Sequence, residues 1–335
     1  MKANDTSYLP SSGRTQEGGR TSAANSTFSR PSTLTRLERQ SLNLTGLFHL
    51  LVIYLVWGST YLAIRIAVHQ GSGFPPFALG ASRTLLAGAI LLLWARFARQ
   101  RVKVTTAELQ FLLLSGLLLW VGGNGMVNWA EQRANSAFAA LLISSTPIWV
   151  ATLESFLDRR WPSLNLVVAL AIGFAGIGVL TGPALLSGTR ADALSTAAIL
   201  LAALSWGTGS LLQRRRRIEL SPLVSSAYQQ LFGGLGFVVI SLLAREPFPH
   251  PAPQAWWAWL YLVIFGSLFA FTSFIQALRL LPTSLVMTYA YVNPVIAVFL
   301  GWLVLGEPVT AWTIAGATFV LLALAGIFRE NGRNR

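Results

Sequence analysis

The chain has 335 residues, 53% of them hydrophobic and only 11% charged, with a net charge of +13 and no cysteine. Soluble domains carry about 25% charged residues, so the composition excludes a soluble globular enzyme and describes a polytopic membrane protein. Disulfide and thiolate chemistry are excluded with cysteine, and His49, His69 and His250 offer no metal-ligand spacing.

Residues 1–44 are polar, rich in Ser, Thr, Arg and Gly, and without apolar periodicity. They read as a disordered cytoplasmic tail rather than a signal peptide. Ten apolar segments follow, near 46–67, 76–96, 109–130, 135–156, 163–182, 195–213, 221–244, 256–278, 283–305 and 310–328. Each approaches the ~20 residues that a helix needs to cross a hydrocarbon core of about 30 Å. The connections are short and carry turn residues, as at Gly71 to Pro76, Thr181-Gly182-Pro183, Pro247 to Pro253 and Gly306-Glu307-Pro308. Residues 329–335 form a second polar tail. The fold class expected is all-α, with ten transmembrane helices.

Lys and Arg set the orientation. With the N-terminus inside, 20 of the 25 basic residues fall on cytoplasmic segments and three, Arg133, Arg190 and Arg245, fall outside. Arg65 and Arg83 lie within helices. This placement accounts for the basic balance through the anionic cytoplasmic leaflet, without a nucleic-acid partner. Both termini are expected in the cytoplasm.

The chain also repeats itself. Ala134–Leu180 and Leu281–Ile327 share a small polar opening, an apolar run with a proline (Pro147, Pro294), a turn and a Gly/Ala-rich apolar run. At the offset of the two prolines Arg83 falls on Gln230, and a drift of two residues brings Trp57-Gly58 onto Trp206-Gly207. Repeats of five crossings, over 45–183 and 194–328, are inverted relative to one another. That arrangement belongs to secondary transporters, whose cargo site lies near the midplane between the halves. The two prolines are expected to bend the fourth and ninth helices symmetrically around a central cavity.

Several polar or aromatic side chains fall at membrane depth. Arg83 lies well inside the second helix, where a charge costs about 2.5–3.5 kcal/mol. It either ties helices together or meets an anionic cargo group. Asn124 and Asn128 are one α-helical turn apart on one face, and a cavity wall or an interhelical hydrogen bond satisfies them equally well. Glu131 is expected at the outer mouth, beside Arg133 or Arg65. Trp57 and Trp206 occupy matching places and either pack or clamp an apolar or cationic cargo. Tyr61, Gln230, Gln276, Tyr289 and Tyr291 complete the candidate cargo-binding set. Trp256, Trp257 and Trp259 read as an interfacial belt. Glu154 is the one acid judged deep enough to relay protons.

The run Trp57-Gly58-Ser59-Thr60-Tyr61, Arg83, the stretch Ala277 to Pro282, Tyr291-Val292-Asn293-Pro294 and Leu305-Gly306-Glu307-Pro308 together resemble the EamA family of drug/metabolite transporters. The resemblance covers roughly 46–328. It implies ten helices in two repeats, a bacterial inner-membrane location, and a cavity lined mainly by helices 1, 3, 4, 6, 8 and 9. Asp158 to Pro162 departs from the family's more usual Gly-Glu turn. The function expected is secondary transport, the export of small amino-acid-like or drug-like compounds by alternating access. Exchange of organic or phosphorylated anions on Arg83 is the alternative, and a non-transporting membrane scaffold is a more distant one. No Walker A motif or clustered catalytic set is present, so neither direct ATP use nor enzymatic activity is expected. The partners expected are a small-molecule cargo, the bilayer and a coupling ion such as H⁺. No cofactor, metal or nucleic acid is expected, and the sequence is compatible with a homodimer.

Overall fold

The computed structural model describes residues 43–68, 73–133, 139, 142–186, 193–216, 218–305 and 310–333. These residues fall in one compact unit, Gln40–Arg335. The expected polar tail, the Gly71-Ser72 end of the first turn and the Gly306-Glu307-Pro308 turn lie outside the described residues, apart from Asn43 and Leu44.

The described residues contain helices and no strand. In chain order they are α1 (Leu44–Val68), α2 (Pro76–Phe97), α3 (Thr106–Ala130), α4 (Thr146–Asp158), α5 (Leu164–Leu186), α6 (Ala193–Arg215), α7 (Pro222–Leu243), α8 (Pro253–Leu280), α9 (Tyr289–Leu305) and α10 (Ala311–Arg333). A single turn, Thr283–Val286, precedes α9. Six of them, α1, α2, α3, α6, α7 and α8, are long and apolar enough to cross a membrane, and α5 contains a shorter apolar stretch, Leu164–Val179. The six are the first three helices of each expected five-helix repeat.

Local chemistry places the ends. Pro76, Pro222 and Pro253 stand in the first turns of α2, α7 and α8, where their missing N–H costs nothing. Thr105 and Glu108 form a reciprocal capping box at the start of α3. The start of α2 is capped from another helix: Glu246, just beyond α7, accepts from the backbone N–H groups of Phe77 at 3.0 Å and Ala78 at 2.8 Å. Helices α2, α4 and α7 each end on an arginine in the left-handed region, Arg99, Arg159 and Arg245, with φ between 50° and 54°. Each is closed by an N–H five residues on from its carbonyl: Gln100 to Ala95, Arg160 to Ser155 and Glu246 to Ser241. Arg159 lies in the Asp158 to Pro162 turn.

The helices do not form two separate halves. α2 packs along α7, α5 along α10, α3 against α6, and α1 against α8 and α9, while α4 packs on α6. Exchanging each helix with the one five places on maps these pairs onto one another. The closest approaches use glycine. A Cβ on Gly116 of α3 would stand 2.7 Å from the Gln229 carbonyl oxygen and 3.0 Å from its Cα, both backbone atoms of α7.

Two irregularities recur at matching places. α3 and α8 each contain a nine-residue π-helical segment, Leu117–Gly125 and Leu262–Ala270. The fourth and ninth helices are each interrupted, at Ser144-Ser145 and at Met287-Thr288. Hydroxyls bond back to carbonyls beside both breaks: Ser145 donates to Leu142 (2.6 Å), Thr146 to Ile143 (2.6 Å) and Thr288 to Leu285 (2.5 Å). The prolines do not share one role. Pro147 sits in the first turn of α4, whereas Pro294 lies inside α9, beyond the break. Hydroxyl groups, rather than proline, mark the two interruptions.

Two stability changes follow. Gly116→Ala lowers stability by about 1–3 kcal/mol, because backbone cannot yield to the new methyl. Arg159→Gly raises it by about 1 kcal/mol by removing the left-handed Cβ penalty. Thermal unfolding of the detergent-solubilised protein reads both.

Candidate functional site

The functional candidate is a central cavity holding about 600 Å³ of atom-free space, its mouth included. α1 contributes Trp57, Thr60, Tyr61 and Ile64 to it, and α2 contributes Arg83. α3 presents Trp120, Gly123, Asn124 and Val127, and Ile143 and Thr146 stand at the head of α4. Ala202 and Trp206 come from α6, and Tyr289 and Asn293 from α9. From Trp57 and Trp206 the wall runs toward the end of the molecule where α1 and α3 finish and α4 and α6 begin.

The opposite end is shut by aromatic packing. Trp57 meets Trp206 edge to face at 5.4 Å, Tyr289 at 5.0 Å and Phe274 at 5.1 Å, and Trp206 meets Phe274 at 5.4 Å. The rings touch one another and leave no slot between the paired tryptophans, so in this conformation they are a floor, not an open clamp. Beneath them Leu50, Ile53, Leu281, Leu285 and Met287 are buried.

Arg83 is the polar centre of the wall. It is 3% exposed. Its Nε donates to Ser267 Oγ at 3.2 Å, and its guanidinium stands 5.1 Å from the centre of the Trp120 ring. Both contacts come from the π-helical segments, Trp120 from α3 and Ser267 from α8. A π segment widens the helix and leaves carbonyls off the regular ladder, and side chains from other helices meet them. Ser205 donates to Leu118 O at 2.8 Å, Trp57 Nε1 to Gly266 O at 3.3 Å and Gln230 Nε2 to Ser267 O at 3.2 Å. Among the described residues, no carboxylate forms a salt bridge with Arg83.

Hydrogen-bonding capacity is left over at the wall. Arg83 Nη1, Trp120 Nε1, Trp206 Nε1, Asn124 Oδ1 and both polar atoms of the Asn293 amide are buried without a hydrogen bond of good geometry. Buried polar groups are normally paired, and these face one space. Three of them, on Arg83 and the two indoles, are pure donors. The set suits a guest with an acceptor oxygen at one end and an apolar body.

Six of the ten residues expected to bind cargo line this cavity: Trp57, Tyr61, Arg83, Asn124, Trp206 and Tyr289. Four lie elsewhere. Asn128 is buried with its Nδ2 3.4 Å from the Pro76 carbonyl. Gln230 supports the Ser267 carbonyl behind Arg83. Tyr291 donates to Leu170 O of α5 at 3.2 Å and packs with Ile177 and Val320. Gln276 is partly buried on α8 and is not among the lining residues. Asn124 lies in the π segment and Asn128 in the α-helical end of α3, and of the two only Asn124 lines the cavity. Thr60, Trp120, Thr146 and Asn293 line the cavity without having been singled out. Asn293 was legible only as part of its Tyr-Val-Asn-Pro run. α8 supports the wall from behind, and α2 supplies its charge.

Glu131, expected at an outer mouth, is fully buried, with neither carboxylate oxygen hydrogen-bonded. Arg65 Nη1 bonds its backbone carbonyl at 2.9 Å. Glu154 is half-buried near Arg214, Arg215 and Asp158, at the other end of the molecule. Of the tryptophans read as a belt, Trp256 and Trp257 are exposed, while Trp259 donates to Ser82 Oγ at 3.0 Å.

Arg83 without an ionic partner is a cost to the empty protein. Arg83→Met removes the buried charge and raises stability by about 1–2 kcal/mol, less than the ~2.5–3.5 kcal/mol insertion cost because the Ser267 bond and the Trp120 contact go with it. Thermal unfolding without added ligand measures this; unchanged or lowered stability would mean that Arg83 is held mainly as a structural tie.

Comparison with known proteins gives the context. The EamA-like transporter family matches residues 44–182 and again 194–329. The chain is 32% identical over 290 residues to the "Uncharacterized inner membrane transporter YedA" of Escherichia coli K12, covering 85% of this chain and 91% of that one. It is 24% identical over 277 residues to the "Uncharacterized transporter YoaV" of Bacillus subtilis, covering 82% and 93%. A solved crystal structure at 22% identity shares the fold with a TM-score of 0.70, covering 86% of this chain and 99% of that chain. The double match spans both halves of the helical unit, and the chain belongs to the EamA-like transporter family, a family of membrane transporters.

Proposed function

We propose that this protein is a secondary transporter that moves small amphipathic compounds bearing an acceptor group, amino-acid-like or drug-like, by alternating access between two inverted five-helix repeats. The observation that carries the reading is the cluster of donors without a hydrogen bond of good geometry, Arg83 Nη1, Trp120 Nε1 and Trp206 Nε1, in a cavity lined mostly by aromatic and aliphatic groups. A pocket that is mostly apolar with a few convergent polar groups is the usual form of a small-molecule site. The helix pairs that map onto one another when each helix is exchanged with the one five places on support the inverted repeat. The 20-to-3 distribution of basic residues supports cytoplasmic termini. In that orientation the cavity opens outward and the Trp57–Trp206 floor closes the cytoplasmic side. Export then requires this floor to part while the outer wall closes.

A second reading, exchange of organic or phosphorylated anions, is favoured by one observation: among the described residues, no carboxylate pairs with Arg83. Among the described residues that line the cavity, Arg83 is the one cation. A single guanidinium matches a carboxylate in charge, whereas a phosphate dianion calls for a second positive group.

Counterflow in proteoliposomes separates the two. The probes are L-phenylalanine, phenyl phosphate and benzyltrimethylammonium, offered with and without a pH gradient. The expected outcome is exchange of L-phenylalanine, reduced at least about tenfold by Arg83→Gln, with little movement of the other two. Exchange of phenyl phosphate alone selects the anion exchanger. Exchange of the cation that Arg83→Gln leaves intact rejects Arg83 as the cargo anchor, and a wild type that moves none of the probes overturns the transport reading.

A further inference from the structure

We infer that Glu131 is a proton-binding site, and that its protonation couples the cavity to a proton gradient. The inference rests on the transport reading above and adds the driving ion. Glu131 is buried, and both carboxylate oxygens lack a hydrogen bond. A carboxylate fixed in its charged form for structural reasons would be expected to gather two or three donors; this one gathers none.

Its surroundings tie it to the cavity. From α1, Arg65 and Tyr61 face it within Coulombic range, and Tyr61 lines the cavity. The Arg65 guanidinium is bonded to the Glu131 backbone carbonyl rather than to its carboxylate. On its own element, Arg133 lies over the Trp129 ring at 4.9 Å. Arg245, Glu246 and His250 line a separate crevice with Trp129 and Gln132. The nearby stretches of α2 (76–80), α4 (146–150) and α6 (195–203) contain no Asp, Glu, Lys, Arg, His or Tyr. Arg65 is therefore the one charge, and Tyr61 the one titratable hydroxyl, presented to Glu131 from the other helices among the described residues.

The cycle balances with one proton. Glu131 takes a proton from water at the open end of the cavity and forms its carboxyl O–H bond. When the cavity opens to the other side that bond breaks, the electron pair stays on the carboxylate and the proton leaves to water. The carboxylate then faces Arg65 again. Cargo entering from that side and a bound proton alternate, which makes the protein an antiporter.

Two arms test this on the full chain in phosphatidylethanolamine and phosphatidylglycerol vesicles. The first needs no cargo: infrared difference spectra between acid and alkaline pH follow the carbonyl stretch of a protonated carboxylic acid. A titrating band is expected in the wild type, absent in Glu131→Gln and shifted in Glu131→Asp. An identical band in Glu131→Gln overturns the proton site. If Glu131→Gln does not fold, the decision passes to Glu131→Asp, where an unshifted band overturns it. The second arm uses L-phenylalanine. Glu131→Gln is expected to lose accumulation driven by a pH gradient at least about tenfold more than it loses exchange at equal pH. Gradient-driven accumulation that survives in Glu131→Gln overturns the coupling. A wild type without exchange rejects the transport reading, while the infrared arm still decides whether Glu131 binds a proton.

Discussion

The constraint on which the rest of the structure depends is the burial of Arg83. A guanidinium at this depth is almost fully buried and, among the described residues, forms no salt bridge, yet its five N–H donors must be accommodated. The structure meets the need partly with Ser267 Oγ and partly with the Trp120 ring. Both lie in π-helical segments, where one turn holds more residues than an α-turn. The π segments in turn release backbone carbonyls, and Trp57, Ser205 and Gln230 are placed to bond them. One charge thus organises side chains from α1, α2, α3, α6, α7 and α8. Gln230 is the position that Arg83 matches in the other half, and the two meet on the same residue, Ser267, one at its hydroxyl and one at its carbonyl.

Much of the helical layout was legible in the sequence because its signals are local. The expected segments begin and end within a few residues of the observed helices wherever proline, a capping box or a charged turn marks the boundary. The fourth, fifth and ninth helices are the exceptions. α5 runs on to Leu186 through Thr181-Gly182-Pro183, which was expected as a turn. The fourth and ninth apolar runs are continuous, and nothing in them announces the breaks at Ser144-Ser145 and Met287-Thr288. Proline pointed toward the right region but not to the residue. The π segments left no compositional trace, since inserting one residue into a turn changes register without changing hydropathy. That explains the division of the candidate site. Residues chosen for charge or aromatic character at matching positions, such as Arg83, Trp57 and Trp206, reach the cavity. Asn128, chosen by α-helical periodicity, does not. Trp120 and Asn293 were overlooked because one reads as an ordinary apolar-helix tryptophan and the other as part of a proline motif.

The aromatic floor shows how the same residues can serve packing and function. Trp57 and Trp206 interlock edge to face and so contribute packing energy. Their indole N–H groups have different fates. That of Trp57 holds the Gly266 carbonyl, while that of Trp206 lies beside Tyr289 without a hydrogen bond of good geometry. Sequence-matched positions have diverged into one donor tied to another helix and one held loosely at the cavity wall. A cavity between pseudo-equivalent halves needs this asymmetry, because a site with identical walls would offer an asymmetric cargo the same groups at both ends.

The membrane sharpens the argument about charge. Arg83 and Glu131 are both buried, Arg83 in the cavity wall and Glu131 behind Tyr61 of that wall, and they do not bond to each other. Direct pairing would lower the cost of burial but leave neither group free to bind a guest. Kept apart, each retains its own capacity, Arg83 toward an acceptor oxygen and Glu131 toward a proton. The destabilisation is tolerable because the aromatic floor, the interhelical capping of α2 by Glu246 and the close glycine contacts of α3 with α7 stabilise the surrounding frame. The rigid frame and the unpaired charges are therefore parts of one arrangement: polar groups can remain unsatisfied in the resting protein only where the surrounding helices are packed too well to collapse onto them.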